Sequence, residues 1–163
     1  MKLQPYLKPL LMGFLLIAID GYILNQGMLS VLVVAWQLFV GVPKVICSRT
    51  SEMRYGKLSR LAIYLGAAII VFSFNMLNNK IARSRAEILI TAIRSYNQTE
   101  NRYPENLTDL VPKYVSSVPP AKYTMMYNDF QYSGKYHFLF YVSVPPFLRS
   151  IYYFGSNKWS VMD

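Results

Sequence analysis

The chain has 163 residues, 53% of them hydrophobic, with a formal net charge of +9 and a single cysteine. Its mean hydropathy of +0.22 is high for a small water-soluble domain, and one thiol excludes an internal disulfide framework. The positive charge does not mark a nucleic-acid binder. Lys44, Arg49, Arg54, Lys57 and Arg60 sit in one connector between apolar segments, opposed only by Glu52, which is the usual signature of a cytoplasmic loop that resists translocation.

Taken in chain order, residues 7–24 ("LKPLLMGFLLIAIDGYIL") form the first apolar run and residues 27–46 ("GMLSVLVVAWQLFVGVPKVI") the second. Only "NQ" stands between the first run and Gly27, so the two read as a tight helical hairpin. A third run, "LAIYLGAAIIVFSFNML", covers residues 61–77. Each is close to the roughly 20 residues that cross about 30 Å of hydrocarbon at about 1.5 Å per residue. The first run is expected to be retained rather than cleaved, because its apolar core is long and a second span follows at once.

The expected division is therefore a transmembrane hairpin over residues 1–58, with a basic cytoplasmic loop at 44–60. Residues 59–163 then form a third span continuing into an exported domain. Lys2 and Lys8 before the first span, and the basic loop, place the N-terminus in the cytoplasm and residues 78–163 outside. Lys80, Arg83 and Arg85 oppose this orientation but are outnumbered. Asp20 falls near the outer end of the first span, where a solvated or hydrogen-bonded carboxylate is expected in preference to a proton relay. Gly66, Ala67 and Ala68 suit close packing of the third span on the first two. Cys47, beside the basic loop, is expected to be inert.

Past the third span the helix is expected to continue to about Asn101. Ala82, Ala86, Leu89, Ile93 and Tyr96 form its apolar stripe, with Ile88 and Ala92 widening it. Pro104 ends helical continuation and biases Tyr103 to an extended form, "ENLTDLV" reads as two helical turns, and Pro119-Pro120 closes the loop. "KYTMMYNDFQY", "KYHFLFYVSV", "RSIYYFG" and "KWSVM" then read as three or four antiparallel strands. Ser133-Gly134, Pro145-Pro146 and Gly155-Ser156-Asn157 separate them. The fold class is a three-span helical anchor plus an α+β domain, one long helix on a small antiparallel sheet.

The order of a long apolar-then-amphipathic helix, "AEILITAIRSYNQTENRYPENLTDLVPKYVSSVPP" and a small sheet resembles type IV pilins, and most of all the major pseudopilins of type II secretion. Ala86, Ala92, Tyr96, Tyr103, Pro104, Leu107, Leu110 and Pro119 occupy the matching positions, over about sixty residues. The chain departs from that family in having no leader-and-Gly junction, no Glu early in the helix, two extra spans and no acidic calcium cluster, with only Asp129 and Asp163 in the last strands. The resemblance implies a pilin-like fold kept in the membrane, not a filament subunit.

No residue pattern points to catalysis. His137, the only histidine, is placed on a strand by alternation, and the carboxylates Glu87, Glu100, Glu105, Asp109, Asp129 and Asp163 show no pairing for acid–base work. No metal, cofactor or small-molecule substrate is expected. The exported sheet holds more aromatic surface than it can bury, so Tyr123, Tyr127, Tyr136, Tyr152, Tyr153 and Trp159 are candidates for a protein-binding face. The expected partners are the lipid bilayer and another protein. That protein is a pilus or secretion component in one reading and, in the alternative, a toxin neutralised by a membrane-anchored immunity protein. A small channel-like protein working through the hairpin is a third reading, favoured only by Asp20.

Overall fold

A computed structural model describes residues 4–143 and 148–162; Lys2, Pro145-Pro146 and Asp163 lie outside the described residues. The chain divides into two compact units, Met1–Met76 and Leu77–Asp163. This boundary lies at the end of the third apolar run, within a helix that runs from Ser51 to Glu100.

In the first unit, helix α1 (Gln4–Leu16) runs on through wider π-helical turns at Ile17–Leu24. Asn25 (φ 52°) and Gly27 (φ 74°), both left-handed, reverse the chain. Helix α2 (Met28–Trp36) follows, then π-helical turns at Gln37–Gly41 and the short helix α3 (Val42–Ile46). Pro43 has no N–H to donate, and its ring crowds the carbonyl of residue 39. The widened turn lies where the ladder must make room for that ring. The segments Tyr6–Leu24 and Met28–Ile46, and helix α4 (Ser51–Glu100), are long and apolar enough to cross a membrane by length and composition.

The three segments touch through small residues and a buried polar group. A Cβ on Gly13 would meet the Ala67 Cβ at 3.5 Å, one on Gly21 would meet Val71 at 3.6 Å, and Ala67 and Ala68 are buried. Asp20 is fully buried rather than solvated. Its Oδ2 accepts the N–H and the Oγ–H of Ser30, each at 2.7 Å, which ties the first segment to the second. The Asn25 side chain donates to the Gly21 carbonyl at 2.9 Å and to Asn75 Oδ1, so the hairpin tip is also held to α4.

The basic connector at residues 44–60 is mostly helical. Lys44 lies in α3, Arg49 in the turn over residues 47–50, and Arg54, Lys57 and Arg60 on α4. Helix α4 starts early because Thr50 caps it, its Oγ1 accepting the Met53 N–H at 3.3 Å. It ends at Asn101, whose left-handed backbone (φ 54°) closes the C-terminus before Pro104.

In the second unit, a four-stranded antiparallel meander follows the helix: β1 (Gln131–Ser133), β2 (Phe138–Val142), β3 (Arg149–Tyr153) and β4 (Lys158–Met162), in spatial order β1-β2-β3-β4. Ala82, Ala86, Leu89, Ile90 and Ile93 of α4 join Leu110, Leu139, Tyr141, Tyr152 and Phe154 in one core. Ile90 was missed by the sequence stripe, whereas Ile88 points outward at 55% exposure.

Three further expectations are corrected. "ENLTDLV" makes a single 3₁₀ turn, Leu107–Leu110: an Asn106–Asp109 capping box opens it, Asp109 accepting the N–H groups of Glu105 and Asn106 (both 2.9 Å), and Val111, extended (ψ 138°) before Pro112, ends it. Of "KYTMMYNDFQY", only Gln131–Ser133 is strand; the rest loops back with Tyr127 in a left-handed conformation. His137 belongs to the β1–β2 turn (φ 53°), not to a strand, and its ring lies 4.1 Å from that of Tyr103.

Candidate interaction face of the sheet

Alternation along each strand sorts the sheet into two faces. Tyr132, Leu139, Tyr141, Tyr152 and Trp159 pack in or against the core shared with α4. The register pairs Phe138 with Tyr153 and Phe140 with Ile151, and continues to Lys158 and Ser160 on β4 and to Gln131 and Ser133 on β1. These residues form the face turned away from α4.

That outer face is aromatic at its centre. The Phe138 ring lies 6.4 Å from Tyr136, nearly parallel to it, 6.0 Å from Phe140 and 6.2 Å from Tyr153. Among the described residues, every ring contact of Phe138, Phe140 and Tyr153 stays within this face. Tyr136 is 66% exposed, and Phe138, Phe140 and Tyr153 are partly exposed. Cations fringe the rings: the Arg149 guanidinium lies 5.5 Å from the Phe140 centroid, the Lys135 ammonium 5.2 Å from that of Tyr136, and Lys158 pairs across from Tyr153. Among the described residues of this face and its β1–β2 turn there is no carboxylate. Aromatic side chains and Arg are the residue types enriched at protein interfaces, where Lys is depleted.

The six aromatic candidates are not brought together. Tyr136 and Tyr153 lie on the outer face. Tyr123 and Tyr127 sit in the loop after Pro119-Pro120, where Tyr123 is exposed under the Arg85 guanidinium at 4.1 Å. Tyr152 is a core residue, which corrects its place among the candidates: it is 4% exposed, and its hydroxyl accepts from Arg94 and donates to Asn157 Oδ1 at 3.2 Å. Trp159 turns inward as well. Its indole donates to Glu87 at 3.2 Å, and the Arg83 guanidinium stacks 3.7 Å above the ring.

Phe138, Phe140 and Arg149 were missed. Alternation in "FLFYV" separates Phe138 and Phe140 from Leu139 and Tyr141, but both sets are apolar, so the pattern does not say which meets the helix. Beyond the sheet, Lys113 and Glu100 form an exposed ion pair at 3.0 Å that lowers the Glu100 pKa and raises that of Lys113. No protein-family model, curated protein or solved structure matches the chain.

Proposed function

We propose that the chain is a non-catalytic inner-membrane protein whose C-terminal unit is a protein-binding module of pilin-like build, accessory to a pilus or secretion assembly. The observation that carries this reading is the outer sheet face, with Phe138, Phe140, Tyr136 and Tyr153 exposed or half-exposed among Arg149, Lys135 and Lys158. Three helices of membrane-crossing length support the anchor. The long helix packed on a four-stranded meander supports the pilin-like build. The basic connector supports an orientation with the N-terminus cytoplasmic and the C-terminal unit periplasmic.

The test is affinity purification of the tagged full chain from native membranes in mild detergent, beside the double variant Phe140→Ser/Arg149→Glu. A pilus or secretion component is expected with the wild type, its affinity weakened about 30-fold by the double variant, as for loss of an interface hot spot. A single small toxin would replace this reading by the immunity one. A partner retained equally by both proteins would remove the outer face as the binding surface.

A further inference from the structure

The first unit carries a groove that the outer-face reading does not use. Between the first two segments and α4 lies an apolar groove of about 320 Å³, lined by Leu16, Ile19, Leu29, Leu32, Val33 and Tyr64, among others. A second hollow of about 370 Å³ shares Leu32, Val33 and Tyr64 and adds Trp36 and Gln37. The two hollows adjoin along Leu32, Val33 and Tyr64, one otherwise walled by aliphatic side chains and Met12, the other by Trp36 and Gln37.

The basic cluster stands beyond the Trp36–Gln37 hollow along the same segments. Arg60 and Tyr64 are i,i+4 neighbours on α4, and the Tyr64 side chain leans toward the Arg60 turn, since helical side chains point to the N-terminus. On the facing strand of chain, Lys44 lies seven residues beyond Gln37, roughly 10 Å along the axis. The two sides are joined there: Lys57 Nζ donates to the Lys44 carbonyl at 3.0 Å, and a Cβ on Gly41 would meet Leu61 at 3.5 Å. Lys44 and Arg60 are exposed, and the acid nearest in sequence, Glu52, stands two helical turns before Arg60.

We propose that this groove and the cations at its end form a binding site for one anionic phospholipid. The phosphate lies among Lys44, Lys57 and Arg60, and an acyl chain lies along Tyr64, Val33 and Leu32. Charge complementarity selects the anionic headgroup, and the dry aliphatic end selects a lipid over free phosphate. The inference rests on these helices being membrane spans.

The test uses the full chain carrying Trp159→Phe, which leaves Trp36 as its only tryptophan. It is reconstituted in phosphatidylcholine vesicles containing a small fraction of either phosphatidylglycerol or phosphatidylcholine with brominated tails. Quenching of Trp36 is expected to show phosphatidylglycerol bound at least about fivefold more tightly, the worth of one basic residue at a lipid surface. Lys44→Gln/Arg60→Gln should remove that preference with the helical circular dichroism unchanged. Val33→Phe should weaken quenching by filling the groove with the charges intact, and millimolar inorganic phosphate should not compete. Equal quenching by the two lipids, a preference that survives the double variant, or displacement by phosphate would each overturn the site. Quenching by neither lipid would instead overturn the membrane reading itself.

Discussion

Lys122 carries an amine into the core of the second unit: it is 1% exposed, and burial pulls its pKa down to about 8. Between pH 8 and the ordinary lysine range near 10.5, the unfolded chain binds the proton that the folded chain has released. Stability therefore rises with pH across that window. Above about pH 10 the trend is opposed, because burial pushes the hydroxyl pKa of Tyr132 and Tyr141 upward and the unfolded chain ionises first. Thermal unfolding of the C-terminal unit should show a midpoint climbing from pH 8 to 10 and flattening beyond. In Lys122→Met the climb should vanish, since no amine remains to titrate. Gly134 makes a different demand. A Cβ there would run into the Pro104 carbonyl and come within 3.1 Å of the Glu105 Cα, both backbone atoms that cannot swing aside. Gly134→Ala should cost about 1–3 kcal/mol in urea unfolding, the range for overpacking.

At the scale of elements, α4 separates packing from propensity. Leu89 is fully buried against the sheet, while its neighbour Ile88 is 55% exposed. Leu89→Ala should cost about 2–5 kcal/mol by leaving a cavity, and Ile88→Ala should stay within about 0.5 kcal/mol, both read by chemical denaturation. The contrast also explains what was legible. Three apolar runs and a helix ending at Asn101 could be read because length, hydropathy and a left-handed Asn before Tyr103-Pro104 are local signals. The stripe differs from the expected one at a single position, Ile90 in place of Ile88, because both are apolar and only the sheet decides between them. The same ambiguity hid the outer face, where two interleaved apolar sets alternate along β2. The turn at Leu107–Leu110 reads as a longer helix because its Asn106–Asp109 capping box is a helix-start signal, whereas Val111, extended before Pro112, stops it after one turn. In the first unit, Asp20 and Ser30 lie ten residues apart, across the hairpin tip. Asp20→Ala would strip the hydrogen-bond partner from a buried hydroxyl and a backbone N–H, and should lower the detergent melting point of the full chain, at a cost of about 1–3 kcal/mol.

For the whole molecule, the sequence divides at residue 58, after the hairpin, whereas the two compact units meet at residues 76–77, within α4. The meander order has a kinetic corollary. Each strand pairs with its neighbour in sequence, so the sheet closes only short loops and its pairing is entropically cheap and quick. The contacts that close last are those of Ala82 to Ile93 with Leu139 to Phe154, which span some sixty residues of chain and wait for β3 to be made. During synthesis from the N-terminus, α4 therefore presents a largely uncovered apolar stripe until β3 has emerged. That interval, rather than the finished fold, is when the chain is most exposed to chaperones, proteases and its own aggregation.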